Sequence, residues 1–181
     1  MKRILLFVSI LAVSLPLFSQ LKNPGFVHYI EKYKDLAIEQ QRKHKVPAAI
    51  TMAQGLLESG AGTSELSVTA NNHFGIKCTS DWKGRTVSAD DDKSNECFRR
   101  YADVRDSYED HSLFLLRTRY SSLFALPIGD YESWAHGLKA CGYATDPNYA
   151  EKLINLIELY GLQALTFDKS FVIIFKPHIR G

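Results

Sequence analysis

Residues 47–64, PAAITMAQGLLESGAGTS, decide the fold of this chain. They predict a short helix, because Pro47 suits a first helical position and most of the side chains that follow are apolar. Gly60 and Gly62 supply the backbone freedom that ends a helix, so Glu58 is expected in its last turn. A helix that is apolar on nearly every side is typical of a buried element. The rest of the chain is therefore predicted to pack around it.

Glu58 is an unusual residue for the end of a buried helix. Unpaired carbonyls concentrate negative charge there, and apolar neighbours disfavour an ionised carboxylate. Both effects are expected to raise the pKa of Glu58, and an acid that keeps its proton near neutral pH can serve as a general acid. Gln54 lies one turn earlier on the same face and is a candidate substrate-binding residue, and Gly55 lets another backbone come close. The alternative is an exposed glutamate at a helix end.

The composition describes one globular domain. The chain has 181 residues, of which 45% are hydrophobic and 23% are charged. Such values are typical of folded proteins and not of disordered ones. The net charge is only +2, and the basic residues are scattered. Nucleic-acid-binding domains carry a concentrated basic patch, so nucleic acid is not expected as a partner.

The first residues carry a targeting signal. Lys2 and Arg3 precede a short apolar stretch at 4–13, which is the pattern of a secretory signal peptide; an uncleaved membrane anchor is the alternative. We therefore predict a signal peptide at 1–20, one domain at 21–162 and a tail of unknown role at 163–181. The mature chain is expected in the periplasm, the cell envelope or the medium, without stable membrane insertion.

The three cysteines are interpreted in that oxidising context. Cys78 and Cys97 bracket a predicted hairpin and are the preferred disulfide pair, which leaves Cys141 over. None of them has the spacing of a zinc site, so no metal and no cofactor are expected. A cysteine-dependent amidase stays open as an alternative, with Cys141 or Cys78 as nucleophile.

A small β-lobe is predicted at 74–101, inside an otherwise helical chain. Its strands are expected at 85–89 and 97–101, with a further candidate at 74–78, while 63–73 is read as polar turns. Helices are predicted to begin, in chain order, at Asn23-Pro24, at a Ser107/Asp110 capping box, at Asp130 and at Thr145-Asp146-Pro147, the last one ending at Gly161.

Four stretches together resemble the glucosaminidase domain of glycoside hydrolase family 73: AQGLLESGAGTS (53–64), NNHFGIKC (71–78), CFRRYADVRDSYEDH (97–111) and LKACGYATDPNYAEKL (138–153). The resemblance implies a lysozyme-like α+β fold, in which a small β-hairpin lobe lies across a cleft from a mostly helical body. It also implies hydrolysis of peptidoglycan glycan strands at the bond after N-acetylglucosamine.

The resemblance assigns roles to single residues. Glu58 falls on the catalytic acid of the family, and Tyr143 falls on a cleft tyrosine associated with activity. Asn72 and Phe74 match the turn that leads into the β-lobe and are expected to bind substrate. Trp82 is expected to stack on a sugar ring; the alternative is that it only covers a loop.

Two departures from the family stand out. Ala61 replaces an aromatic residue found in many members. Relatives often carry a second glutamate on a longer hairpin of the β-lobe, whereas the short hairpin here offers Asp91, which is our choice, with Asp90, Asp92 and Glu96 as the alternatives. In this scheme Glu58 protonates the leaving oxygen, and the second acid activates water or acts as nucleophile. A solvated hairpin tip without a catalytic acid, or assistance by the sugar's own acetamide, is the other possibility.

Rival functions stay open at this stage. A lytic transglycosylase or a muramidase also uses one glutamate at a helix end, and a non-catalytic module would only bind peptidoglycan. The protein is expected to be a monomer.

Overall fold

The computed structural model describes residues 22–90 and 94–167. Over these ranges the chain forms a mostly helical body and a two-stranded antiparallel sheet, as predicted. The elements are α1 (Pro24–His44), α2 (Ala48–Glu58), α3 (Glu65–Ala70), β1 (Arg85–Ala89), β2 (Glu96–Arg100), α4 (Val104–Leu115), a 3₁₀ helix (Thr118–Ala125), α5 (Tyr131–Ala140), α6 (Tyr149–Tyr160) and α7 (Gln163–Thr166).

Helix α2 is the centre of the core. Every residue from Ala48 to Leu56 is buried, and α1, α5, α6 and α7 pack around this helix. The helix ends at Glu58, and Gly60 and Gly62 follow with φ of +56° and +79°, which confirms the predicted C-terminus. Glycine adopts this left-handed conformation at little cost. The apolar helix is therefore buried except at the end that carries Glu58.

Gly55 has a different neighbour from the predicted one. A Cβ at this position would lie 2.8 Å from the Tyr29 hydroxyl and 3.2 Å from the Tyr108 hydroxyl. The close approach is therefore made by buried side chains and not by another backbone. The two hydroxyls hydrogen-bond each other over 3.0 Å, and Tyr29 also bonds His73 over 2.8 Å.

Polar side chains at the two ends of α1 cap this helix and connect it to neighbouring helices of the body. Asn23 caps the helix, as predicted. Near the other end, the buried Gln41 accepts a hydrogen bond from the Ala48 amide over 2.8 Å and donates one to the Thr166 carbonyl over 3.0 Å. One glutamine thus fixes the start of α2 and the position of α7. Helix α7, which follows the predicted domain boundary at residue 162, packs against α1 and α2.

The β-lobe is held together covalently. Strands β1 and β2 pair with Val87 opposite Phe98, and a Cys78–Cys97 disulfide with a Cα–Cα distance of 5.4 Å closes the lobe. This confirms the preferred cysteine pair. The strand predicted at 74–78 is wrong, since only one isolated bridge, between Lys77 and Phe98, forms there.

Three helix starts differ from the predictions. Helix α4 begins earlier, because the capping box is formed by Asp103 and Asp106. Helix α6 begins later, after an Asn148 cap, and the polar stretch after α2 contains the short helix α3. At α4 the error arises because several side chains in the stretch are able to cap a helix, and packing selects among them.

Asp110 joins the lobe to the body instead of capping a helix. Its carboxylate accepts two hydrogen bonds from Arg99 Nη1, each 2.9 Å long, and a short one from the Tyr101 hydroxyl. Arg99 and Tyr101 belong to the β-lobe, and Asp110 belongs to α4. The ion pair therefore fixes the side of the β-lobe that faces the helical body.

The predicted signal peptide and the apolar FVIIF stretch at 171–175 lie outside the described residues. Within the described ranges, no helix combines the length and the apolar character needed to cross a membrane.

Candidate active site

A cleft of about 570 Å³ lies between the helical body and the β-lobe. Its walls come from α2, α6, the loop before α6 and the lobe. Glu58, at the end of α2, lines it. The lining residues used below are Glu58, Phe74, Lys77, Asp90, Tyr143, Asp146, Tyr149 and Lys152. The predicted arrangement of body, lobe and cleft is thus confirmed.

Glu58 is held by a tyrosine of α6. The Tyr149 hydroxyl donates a hydrogen bond to Glu58 Oε1 over 2.9 Å, and the carboxyl group is partly exposed to the cleft. Burial raises the pKa of the Tyr149 phenol, and the neighbouring Tyr143 and Glu58 add to that increase. Tyr149 therefore keeps its proton at neutral pH and acts as a donor to the carboxyl group.

Gln54 does not reach the cleft, so its predicted role in substrate binding needs correction. The side chain has no exposed area, and its amide lies between Tyr149 Oη at 2.9 Å and His111 Nε2 at 3.1 Å. A turn of α2 separates it from Glu58 on the same face, as predicted. Tertiary packing then covers that face over Gln54 and leaves it open over Glu58.

Tyr143 lies beside Glu58, where the resemblance places it. Its ring stacks on Tyr149 with 5.6 Å between centroids, and it lines the cleft. Burial raises the pKa of its phenol well above the usual value, and the negative charge of Glu58 raises it further. The hydroxyl is therefore a permanent donor at the cleft surface.

Asn72 and Phe74 have different roles in the turn before the lobe. Asn72 is 1% exposed, and its amide bonds the backbone of Ile76 and the Arg99 carbonyl over 2.9–3.0 Å. It shapes the turn and cannot also bind a sugar, which corrects the prediction. Phe74 lines the cleft, although only 4% of it is exposed, and it stacks on His111.

Trp82 lies on the lobe but is not among the described residues that line the cleft. Its indole N–H donates to the Arg85 carbonyl over 3.1 Å, Arg99 lies over its ring at 4.4 Å, and Tyr101 packs edge-on. These contacts match the alternative reading, in which the side chain covers a loop. The stacking of this ring on a bound sugar has no support in the geometry.

The candidates for the second carboxylate have different positions. Asp90 lines the cleft, and its Oδ1 accepts a hydrogen bond from the Asn95 amide over 2.7 Å. Glu96 forms an ion pair with Lys77 over 2.9 Å. Asp91 and Asp92 lie outside the described residues. Asp90 is thus the described acid of the hairpin that borders the cleft.

Two further features of the site were missed by the sequence analysis. Tyr149 was assigned to the apolar stripe of α6, and nothing in the sequence pattern marks its hydroxyl as a partner of Glu58. Lys152 pairs with Asp146 over 2.6 Å at the cleft edge. Within the described ranges, no group of three or more His, Cys, Asp or Glu side chains is placed to hold a metal ion.

Comparison with known proteins decides the family. A family model described as "Glucosaminidase: Mannosyl-glycoprotein endo-beta-N-acetylglucosaminidase" matches residues 34–162. The chain belongs to the glucosaminidase family. The predicted resemblance is thereby confirmed over most of the chain.

Curated relatives of this glucosaminidase domain are named as a glucosaminidase and as a peptidoglycan hydrolase. Exo-glucosaminidase LytG of Bacillus subtilis is 37% identical over 132 residues, which cover 66% of this chain and 46% of LytG. Peptidoglycan hydrolase FlgJ of Vibrio parahaemolyticus is 31% identical over 140 residues, which cover 71% of this chain and 45% of FlgJ. The match thus spans about half the length of these relatives.

Solved structures share the fold of this glucosaminidase domain. The catalytic domain of the autolysin Auto from Listeria monocytogenes has a TM-score of 0.66 at 27% identity, and 80% of this chain and 89% of that one are covered. The glycoside hydrolase domain of Salmonella typhimurium FlgJ has a TM-score of 0.64 at 28% identity, with coverage of 82% and 96%. Each of these is close to the size of the described body and lobe.

Proposed function

We propose that this glucosaminidase domain hydrolyses peptidoglycan glycan strands at the glycosidic bond that follows N-acetylglucosamine. The observation that carries the proposal is the Glu58 carboxyl group, which lies in a cleft at the end of a buried helix and accepts a hydrogen bond from Tyr149. Family membership supports the reaction class, and the names of the relatives support the substrate.

Glu58 acts as the general acid in this proposal. Cleavage of a glycosidic bond needs a proton on the leaving oxygen while positive charge develops at the sugar carbon. The Glu58 carboxyl group, to which the Tyr149 hydroxyl donates a hydrogen bond, delivers this proton to the leaving oxygen. Tyr143, stacked on Tyr149, donates from its hydroxyl to a substrate oxygen.

The second group of the reaction comes from the β-lobe. An acid of the hairpin activates water or forms a covalent intermediate, and the separation of the two carboxyl groups decides which. Asp91 stays our first choice, and Asp90 gains support because it lines the cleft. A route in which the acetamide of the sugar assists needs no second carboxylate as nucleophile.

The acid role is tested by Glu58→Gln. This change keeps the side-chain shape and removes the proton donor, so we expect the rate of sacculus lysis to fall by at least about a hundredfold. The melting temperature should stay close to that of the parent. Glu132→Gln is the matched control, since Glu132 is an exposed glutamate of α5 and should lyse like the parent. Full lysis by Glu58→Gln would remove Glu58 from the mechanism.

The bond specificity is tested by mass spectrometry of the products. A new reducing N-acetylglucosamine end supports the proposal, whereas an anhydro-muramyl end identifies a lytic transglycosylase and a reducing muramic acid end a muramidase. Long internal fragments early in digestion indicate an endo mode. Release of single terminal units would indicate the exo mode named for LytG.

The site of action follows from the substrate. Peptidoglycan lies outside the cytoplasmic membrane, so the protein is proposed to act in the cell envelope and to be exported by residues 1–20. N-terminal sequencing of the mature protein should find a new start close to Ser19 or Gln20. Sedimentation of the purified protein tests the expected monomer.

A further inference from the structure

Four side chains, of which Glu58 is the last, form a chain of hydrogen bonds that begins in the interior of the protein. His111 Nε2 lies 3.1 Å from Gln54 Oε1, and Gln54 Nε2 lies 2.9 Å from Tyr149 Oη. The Tyr149 hydroxyl is in turn 2.9 Å from Glu58 Oε1. We call these four residues the relay. It joins α4, α2 and α6, and its last member is the proposed general acid.

The orientation of the Gln54 amide sets the direction of every hydrogen bond in the relay, because its oxygen faces His111 and its nitrogen faces Tyr149. An amide oxygen only accepts, so the Nε2 of His111 must carry the hydrogen. The amide nitrogen of Gln54 only donates, so the Tyr149 oxygen accepts from it. Tyr149 has one proton, and it is thereby directed at Glu58.

Burial protects these hydrogen-bond directions from competition with solvent. His111 and Gln54 have no exposed area, Tyr149 is 3% exposed, and the Phe74 ring stacks on the imidazole with 4.0 Å between centroids. Burial lowers the pKa of His111 to about 3, so the ring is neutral and has one N–H. Within the described residues its other nitrogen, Nδ1, has no hydrogen-bond partner. Water is thus excluded from the interior half of the relay.

We propose that Gln54 and His111 are positioning residues for the general acid. They hold the Tyr149 hydroxyl in one orientation, so that its proton is directed at Oε1 of Glu58. This inference rests on the proposed acid role of Glu58. It assigns a function to two buried residues that do not touch the substrate.

Other charged and titratable groups share the cleft with Glu58. They are Lys77, Asp90, Tyr143, Asp146 and Lys152. Lys152 pairs with Asp146, and Lys77 pairs with Glu96. None of them hydrogen-bonds Gln54 or His111 among the contacts of the described residues. A change at Gln54 therefore leaves these charges in place, and its effect on the pH profile reports on the relay.

The test is Gln54→Met, which keeps the side-chain length and removes both hydrogen bonds of the amide. With soluble glycan strands as substrate, we expect kcat to fall about fivefold to tenfold, because a hydrogen bond between neutral groups contributes about 1 kcal/mol. KM should change by less than about twofold, since Gln54 does not contact the substrate. Loss of a constant donor disfavours the ionised carboxyl group, so the basic limb of the pH–rate profile should move to higher pH.

Gln41→Met is the matched control. Gln41 is also a buried glutamine with two hydrogen bonds, but it connects α1 to α2 and α7, away from the cleft. Both substitutions should lower the melting temperature. Only Gln54→Met should change kcat and the pH profile. Equal kcat values for the two variants, with an unchanged profile, would show that Gln54 is only structural and would overturn the inference.

A double-mutant cycle tests whether Gln54 acts through Tyr149. Tyr149→Phe removes the last donor of the relay, so adding Gln54→Met to it should reduce kcat little further. Reductions that multiply would contradict the relay. If Gln54→Met does not fold, Gln54→Glu replaces it, because a carboxylate only accepts and draws the Tyr149 proton away from Glu58. An unchanged pH profile in that variant would also overturn the inference.

If the proposed function itself is wrong, the experiments give a different result from the one expected when only the positioning role is wrong. A parent protein that does not cut glycan strands, or a fully active Glu58→Gln variant, refutes the acid role itself. An active parent with an inactive Glu58→Gln variant, together with a Gln54→Met variant that behaves like Gln41→Met, refutes only the positioning role.

Discussion

Single hydroxyl groups determine the environment of Glu58. Tyr149 donates to one carboxyl oxygen, and Tyr143 stacks on Tyr149 at the surface of the same cleft. Both phenols keep their protons at neutral pH, because burial and the nearby carboxyl group raise the pKa of each. Two permanent donors therefore border the proposed acid, one directed at the carboxyl group and one available to a substrate.

At this scale we predict the outcome of Tyr143→Phe. The substitution keeps the ring that stacks on Tyr149 and removes one donor from the cleft, so kcat should fall about tenfold while the melting temperature stays within a few degrees of the parent. Initial rates on soluble glycan strands and a thermal melt measure both effects. Tyr131→Phe, which removes a hydroxyl bonded to Glu158 outside the cleft, is the control. Activity equal to that of the control would exclude the Tyr143 hydroxyl from the reaction.

The β-lobe is the element that completes the cleft. Its disulfide closes the lobe, and the ion pair between Arg99 and Asp110 fixes the lobe to α4. Asp90 is the described acid at that tip. The sequence-based choice of Asp91 stays a prediction, because that residue lies outside the described ranges.

At the scale of this element we predict the effects of Asp91→Asn and Asp90→Asn. Removing the acid that activates water should lower kcat about tenfold to a hundredfold, less than Glu58→Gln does. Asp35→Asn is the control for the charge change, since Asp35 is exposed on α1. Rates on glycan strands rank the three variants. Parental rates for both tip variants would direct the search to Glu96 or to assistance by the substrate.

Among the described residues, two histidines, His73 and His111, are buried in the core. Burial lowers the pKa of His73 to about 4, with a further contribution from Lys32, and burial lowers that of His111 to about 3. In the unfolded chain both titrate near pH 6.5. The unfolded state therefore binds more protons below that pH, and the free energy of unfolding decreases as the pH falls. The stabilisation is complete above about pH 6.5 and is lost progressively towards pH 4 and pH 3.

We therefore predict a pronounced pH dependence of the stability. Between pH 7 and pH 5 each buried histidine should cost about 2 kcal/mol of unfolding free energy. This range lies above the usual titration of carboxylates, so histidines dominate it. Urea unfolding at a series of pH values measures the slope. His73→Gln should lower the stability at pH 7 and reduce the slope, whereas His28→Gln, at an exposed position, should not. A slope that His73→Gln does not change would contradict this account.

The sequence by itself was sufficient for several elements and for the place of Glu58 at the end of α2. The end of α2 at Glu58, the Asn23 and Asp130 caps, the paired strands and the Cys78–Cys97 bridge all depend on neighbouring residues or on a hairpin that brings two cysteines together. Periodicity, caps and turns are local signals, so they can be read from a single chain.

Only the tertiary structure decided which polar groups meet. The members of the relay are separated in the sequence by 57, 95 and 91 positions, and no local pattern predicts such contacts. Packing covered Gln54 and Asn72 and turned the Tyr149 hydroxyl from an apolar helix stripe towards Glu58. A one-dimensional pattern gives the type and face of a side chain, whereas burial and hydrogen-bond partners depend on which helices come to lie against that face.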